Sequence, residues 1–177
     1  MLNERIFFIG PTGAGKTTIG KRVAAHYGLE FRDLDQEIER RTGADVGLIF
    51  DIEGEGGFRK RETNLLQELS ERSGVVLATG AGAVLAEENQ RILRAHGFVV
   101  YLQTEVDQQI RRLSRDKRRP LIQKPNRREI LGDMARIRNP IYESLADLII
   151  PSENLSVHVM ARRVINRIEE AVRDPVP

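Results

Sequence analysis

The chain has 177 residues, of which 40% are hydrophobic and 31% charged, proportions that fit a globular chain of one-domain size and exclude collagen-like and disordered classes. It contains no cysteine, which excludes a disulfide framework, a thiolate metal site and a cysteine nucleophile. Basic and acidic side chains nearly balance at a net charge of +2, so the total charge says little about partners.

Apolar periodicity divides the chain into alternating strands and helices. Short apolar runs predict strands at residues 5–9, 31–34, 75–79, 98–102 and 147–150. Helical spacing predicts helices at residues 17–27, 35–41, 46–50, 59–72, 87–95, 106–114, 126–139 and 156–172. Gly54, Gly56 and Gly57 are expected to separate the third helix from the fourth, and Pro140 to end the seventh. Strands that alternate with helices predict an α/β fold whose parallel sheet is covered on both faces.

Positive charge is concentrated in residues 111–139, which contain eleven Lys or Arg against three Asp or Glu. Such a field suits a nucleoside triphosphate or a nucleic-acid backbone, and a solvated arginine-rich helix face is the alternative. Within this region, residues 115–125 have two prolines, high charge and no periodicity. We therefore expect a mobile lid at about residues 113–125.

No apolar run exceeds about five residues, far below the roughly 18 that a membrane span needs. The first residues lack the basic segment followed by a long apolar segment that marks a secretory signal. We therefore expect a cytoplasmic protein with no membrane partner.

Residues 10–17 fit the phosphate-binding loop pattern G-x-x-x-x-G-K-[ST] and lie between a predicted strand and a predicted helix. Glycines there let backbone N–H groups surround an anion at a helix N-terminus. Lys16 is expected to reach the terminal phosphates, and the Thr17 hydroxyl to bind Mg²⁺. This segment predicts a nucleotide-binding protein.

Three other segments carry candidate chemistry. Asp33 and Asp35 lie at the C-terminal end of the second strand, where one carboxylate can face a metal and the other a substrate. Strand-end polarity with helix capping is the alternative. Arg59 and Glu62 lie three apart on a helix, so the carboxylate can hold the guanidinium as an anion clamp, or the pair is a plain surface ion pair. The small residues 79–83 permit close approach to a ligand, or form a tight turn.

Taken in chain order, these motifs resemble the shikimate kinases, a family of P-loop enzymes, over nearly the whole chain. The matching segments are GPTGAGKTT (10–18), DLD (33–35), FRKRE (58–62), ATGAGAV (78–84), RDKRRPL (115–121) and RNPIYESLAD (138–147). The resemblance implies a P-loop kinase fold with three α/β/α layers and sheet order 2-3-1-4-5. It implies one domain over residues 1–177, with a substrate-binding helical part at about residues 35–62. The implied reaction is transfer of the γ-phosphoryl group of ATP to shikimate, which gives shikimate 3-phosphate in the pathway to chorismate and aromatic amino acids.

The same resemblance implies roles for individual residues. The implied catalytic residues are Lys16, Asp35 and Arg119, the last of them in the lid. The implied ATP-binding residues are Gly13, Ala14, Gly15, Lys16, Thr17, Thr18, Arg112, Arg119 and Pro151. The implied shikimate-binding residues are Asp35, Arg59, Gly80, Ala81, Gly82 and Arg138, with the two arginines on the carboxylate. Mg²⁺ is implied to be held by Thr17 and, through water, by Asp33.

Two positions depart from the family pattern. The family usually has three consecutive glycines after the third strand, whereas the middle position here is Ala81. Leu155 stands where many relatives carry a polar residue near the nucleotide.

Two alternative functions belong to different classes. One is another small-molecule kinase of the same branch, such as a gluconate kinase. The other is a P-loop binding module or an arginine-rich nucleic-acid-binding protein. The 5 Lys against 23 Arg and the lack of a nucleic-acid motif weigh against the nucleic-acid function. We expect a monomer whose partners are ATP and, as the resemblance implies, shikimate.

Overall fold

A computed structural model describes residues 5–114 and 125–173 of the chain. Its strands are β1 (Arg5–Ile9), β2 (Glu30–Asp33), β3 (Val75–Ala78), β4 (Phe98–Gln103) and β5 (Leu148–Pro151). Its helices are α1 (Lys16–Tyr27), α2 (Leu34–Thr42), α3 (Val46–Ser70), α4 (Glu87–His96), α5 (Val106–Leu113), α6 (Arg127–Leu145) and α7 (Val157–Arg173), with a short 3₁₀ helix at Ala83–Leu85.

The five strands form one parallel sheet in the order β2-β3-β1-β4-β5. The predicted fold class and strand order are therefore confirmed. All of β3 and the last four residues of β1 are buried, as expected for central strands whose two faces are both covered by helices.

Alternate strand residues point to opposite faces of the sheet and form two separate cores. One core contains Phe7 of β1 and Tyr101 of β4, together with side chains from α2, α3, α4 and α6. The other contains Phe8 of β1 and Val100 of β4, together with side chains from α1 and α7. This arrangement gives the three predicted layers.

The helix that contains Pro140, the seventh predicted and the sixth observed, does not end there, so that prediction is wrong. The helix α6 continues to Leu145 with Pro140 in its interior. A proline there removes one backbone hydrogen bond and costs about 3 kcal/mol. The turn that follows buries Tyr142 completely and Leu145 almost completely, and this packing offsets the cost.

The predicted break between the third and fourth helices is a kink within α3 rather than a glycine-rich loop. Gly54 has φ 72° and ψ 178°, while the residues on either side of it are helical. A positive φ of this size favours glycine because it has no Cβ. Gly56 and Gly57 lie within the helical part that follows.

Loops at the carboxyl ends of the strands converge on one edge of the sheet. The glycine-rich loop follows β1, Asp33 ends β2, and the turn of residues 80–82 follows β3. In open parallel sheets, ligands bind outside this edge, where successive connections diverge to the two faces. None of the seven helices in the described residues has both the length and the apolar composition required to cross a bilayer.

Candidate active site

The phosphate-binding loop joins β1 to α1 through glycines in conformations that residues with a Cβ rarely adopt. Gly10 has φ 141°, and a Cβ on it would lie 2.7 Å from the Leu102 carbonyl oxygen, so only glycine fits there. Gly15 has φ 93° and immediately precedes the first turn of α1. Lys16 Nζ donates to the carbonyl oxygens of Gly10 (2.7 Å) and Pro11 (2.9 Å). The lysine thus lies over the loop in which phosphate groups are cradled in P-loop proteins.

Asp33 connects the P-loop to α2 through its two carboxylate oxygens. Its Oδ2 accepts a hydrogen bond of 2.5 Å from the Thr17 hydroxyl. Its Oδ1 accepts from the Gln36 backbone N–H at 3.2 Å and so caps α2. A hydroxyl and a carboxylate at the phosphate end of the loop form an oxygen donor set of the kind that Mg²⁺ prefers.

Arg112 ties the P-loop to the segment after β5. Its guanidinium donates to the Gly13 carbonyl at 3.1 Å and to the Glu153 carbonyl at 3.3 Å. Burial lowers the pKa of Arg112. An open cleft beside it is lined by Gln108, Arg111, Arg112 and Asn154.

Two more of the predicted nucleotide residues lie at the end of β5 and at the start of α1. Pro151 ends β5, and Thr18 lies exposed in the first turn of α1. Leu155 is 39% exposed beyond β5.

Arg59 is held in one orientation by a buried carboxylate. Its Nη1 donates to Glu62 Oε2 at 2.7 Å, and Glu62 is fully buried, so the predicted contact is confirmed and is no plain surface pair. The guanidinium lies directly against the turn after β3, because a Cβ on Gly82 would be 2.9 Å from Arg59 Cζ and closer still to Nη2. Position 82 therefore requires glycine as long as Arg59 keeps this place.

Glu62 also faces Asp35 across Gly80. A Cβ on Gly80 would lie 2.8 Å from Glu62 Oε1 and 3.0 Å from Asp35 Oδ1. Glu62 Oε1 is buried and has no hydrogen-bond partner in the described part of the chain. Burial raises the pKa of Glu62, the charge of Arg59 opposes this rise, and the Asp35 carboxylate adds to it. Two acidic groups and one arginine thus meet at this turn.

Ala81 fits the turn without backbone strain. No residue other than glycine has a positive φ among the described residues, so Ala81 lies outside the left-handed region. Within the same residues, no hydrogen bond uses the backbone N–H groups of Gly80, Ala81 or Gly82. A methyl group at the first or third position of the turn would therefore displace the charged side chains packed against it, whereas the second position already carries a methyl group.

Arg138 approaches the turn from α6. Its charge acts on both Glu62 and the Tyr142 hydroxyl. It also lines a small cavity between the P-loop, α5 and α6, whose walls are Pro11, Thr12, Gln109, Leu131, Met134, Ala135, Arg138, Asn139 and Tyr142. This cavity connects the phosphate loop to the arginine.

The predicted residues form two groups on one edge of the sheet. The P-loop residues and Asp33 form the first group, and Asp35, Arg59, residues 80–82 and Arg138 form the second. Arg119 and most of the predicted lid lie outside the described residues. Sequence reasoning missed Tyr142, although its position four residues after Arg138 puts the two side chains on the same helix face.

The strand order and the glycine-rich loop before α1 define a P-loop protein, and comparison with known proteins gives its family. The shikimate kinase family model matches residues 12–169. The chain is 51% identical over 165 residues to a shikimate kinase of Shewanella sp. (strain MR-4), covering 93% of this chain and 96% of the relative. It is 51% identical over 167 residues to that of Pasteurella multocida (strain Pm70), covering 94% and 95%.

Solved structures agree with this result. Shikimate kinase from Acinetobacter baumannii in complex with shikimate matches with a TM-score of 0.91 and 44% identity, covering 96% of this chain and 94% of that one. Shikimate kinase from Aquifex aeolicus vf5 matches with a TM-score of 0.80 and 27% identity, covering 96% and 98%. The chain belongs to the shikimate kinase family, as its motifs predict.

Proposed function

The chain phosphorylates shikimate with ATP, the reaction of its family, and we propose which residues of the cleft bind each substrate. The product is shikimate 3-phosphate, an intermediate on the way to chorismate and aromatic amino acids. The observation that carries the proposal is the placement of Arg59 and Arg138 around the 80–82 turn, one strand away from the P-loop. Two arginines beside free backbone N–H groups suit a carboxylate, and the neighbouring loop suits a triphosphate.

ATP is assigned to the P-loop side. Residues 13–18 surround the phosphates, and Lys16 Nζ exchanges the Gly10 and Pro11 carbonyls for phosphate oxygens when ATP binds. Arg112 and Pro151 flank the adenine, because Arg112 joins the loop to the segment after β5. This placement leaves the γ-phosphate facing the 80–82 turn.

Mg²⁺ is the metal that the site fits. Thr17 is assigned as a direct ligand and Asp33 as a ligand through water, because their oxygens already meet at 2.5 Å. When bound, the ion neutralises charge on the phosphate oxygens.

Shikimate is assigned to the second group of residues. Arg59 and Arg138 hold its carboxylate, the N–H groups of residues 80–82 add donors, and Asp35 accepts a hydrogen bond from the attacking hydroxyl. Phosphoryl transfer then depends mainly on positioning and charge neutralisation, which Lys16 supplies from the P-loop side.

Several features from the sequence complete the proposal. Residues 35–62 form the substrate-binding helical part of a single domain over residues 1–177, and residues 113–125 form the lid that carries Arg119 to the phosphates. The protein acts as a monomer in the cytoplasm, with no nucleic-acid partner. Size-exclusion chromatography with light scattering tests the monomeric state, since a stable dimer would give twice the molar mass of one chain.

The test of the activity is a coupled assay of ADP release with three acceptors: shikimate, gluconate and a nucleoside monophosphate. We expect turnover with shikimate, and its loss when EDTA removes Mg²⁺. Turnover with gluconate or the nucleotide, and none with shikimate, would refute the proposal. Steeply salt-dependent binding of generic DNA would instead favour a nucleic-acid function.

A further inference from the structure

Tyr142 joins two parts of the cleft that are far apart in sequence. It lies in α6, one turn after Arg138, and it is fully buried with its ring 5.0 Å from that of Tyr101. Its hydroxyl donates a hydrogen bond of 2.6 Å to the Ala81 carbonyl oxygen, 61 residues away. The contact therefore links α6 to the turn after β3.

The direction of this hydrogen bond is fixed by the groups involved. A backbone carbonyl can only accept, so the phenolic O–H must point at Ala81. Arg138 lies one turn earlier on the same helix and lines the same small cavity as Tyr142, and its positive charge acts on the phenol oxygen. Burial raises the pKa of Tyr142, with Arg138 opposing the rise, so the phenol keeps its proton at neutral pH.

We propose that Tyr142 is a positioning residue for the side of the cleft that binds the carboxylate. Its hydroxyl fixes the Ala81 carbonyl and the Arg138 guanidinium relative to each other. This inference rests on the proposed function, because it assumes that Arg138 and the turn receive the carboxylate of shikimate.

The two arginines of the clamp have different neighbours. Arg59 has the buried carboxylate of Glu62 at 2.7 Å. Arg138 instead has the neutral Tyr142 hydroxyl as a neighbour in the same small cavity. A neutral neighbour does not cancel the charge of the guanidinium, so that charge stays available to the substrate.

The same hydroxyl also orients the turn. In a trans peptide the carbonyl and the following N–H point in opposite directions. Holding the Ala81 carbonyl toward α6 therefore directs the Gly82 N–H away from α6. Loss of the hydroxyl would free both the arginine and one backbone donor of the turn.

The test compares Tyr142→Phe with Tyr101→Phe in the full-length chain. Both variants remove a phenolic hydroxyl from one of two packed rings, but the Tyr101 hydroxyl bonds to the Asn139 side chain at 3.3 Å instead of to the turn. We expect Tyr142→Phe to raise KM for shikimate about tenfold, the effect of losing one hydrogen bond of about 1.4 kcal/mol, and to leave KM for ATP unchanged. Tyr101→Phe should change neither constant, and melting temperatures report folding in both.

A double-mutant cycle with Arg138→Ala gives a second, independent measurement. If the hydroxyl acts partly through Arg138, the effects of Tyr142→Phe and Arg138→Ala on KM for shikimate should sum to more than the effect of the double variant. Additive effects would contradict the link between the two residues.

Two other outcomes would overturn the role of Tyr142. The first is an unchanged KM for shikimate in Tyr142→Phe. The second is an equal rise in KM for shikimate and for ATP together with a lower melting temperature, which is what a merely structural role predicts. Absence of shikimate turnover in the unmodified chain would instead contradict the proposed function itself.

Discussion

Replacing Gly82 by alanine should displace one arginine of the substrate site while leaving the fold nearly intact. The added methyl carbon would lie 2.9 Å from both Cζ and Nη1 of Arg59, and closer to Nη2. Ordinary carbon contacts begin at about 3.5 Å, so the guanidinium, whose closest atom is Nη2, has to retreat by about 1 Å or more. The atoms that must move form the end of a flexible side chain that is 24% exposed, so the backbone need not shift.

The magnitude follows from what Arg59 contributes to binding. Hydrogen bonds to charged groups are worth about 1.5–3 kcal/mol and weaken steeply when their geometry is lost. A displaced Arg59 should therefore raise KM for shikimate by about tenfold to a hundredfold, while KM for ATP stays within about twofold. The melting temperature should fall only slightly, because Arg59 can keep part of its contact with Glu62.

The coupled ADP assay and a thermal melt measure both effects. Gly132→Ala is the matched control, since the same methyl group added in α6 would meet nothing within 4 Å and should leave both Michaelis constants unchanged. A folded Gly82→Ala protein with an unchanged KM for shikimate would show that Arg59 does not hold the substrate from this position.

Local signals explain why the nucleotide side of the cleft could be predicted from sequence. Gly10 and Gly15, the two glycines that the loop pattern specifies, both have positive φ, and the apolar run before them is β1. Capping of α2 and a part in the site were posed as alternatives for Asp33; the structure shows the cap together with a hydrogen bond from Thr17 of the P-loop, and the metal role stays a prediction. The strand order is a long-range property, and it was expected only from the resemblance to a known family.

Features that depend on distant packing could not be predicted in the same way. Pro140 is a local signal for a helix end, and it was overridden because the next turn packs into the core. The spacing of Arg59 and Glu62 predicted their contact but not that Glu62 is fully buried, since its burial requires α3 to lie against the sheet. The bond between Tyr142 and Ala81 spans 61 residues, so no local pattern indicates it.

Three further results are expected. Lys16→Met should abolish turnover without changing the circular dichroism spectrum, because Lys16 lies in the P-loop and in neither of the two hydrophobic cores. Substantial activity in this variant would contradict the role of the loop. Arg119→Ala, a change outside the described residues, should leave KM for shikimate unchanged and lower kcat at least about 100-fold, which corresponds to roughly 2.7 kcal/mol. The reason is that an arginine that meets the transferring phosphoryl group acts on the chemical step. An unchanged single-turnover rate would contradict this role. Glu37→Gln tests the charge network of α2. A hydrogen bond from Arg40, opposed by burial and aided by Arg41, lowers the pKa of Glu37 from 4.5 to about 2. A folded-state pKa below the ordinary value means that this carboxylate stabilises the fold above about pH 4.5 and loses its contribution as the pH falls towards 2. The difference in melting temperature between the parent chain and Glu37→Gln should therefore be largest near neutral pH and shrink between about pH 5 and pH 2. A difference that stays constant over that range would show that the charge of Glu37 does not hold the arginines around it.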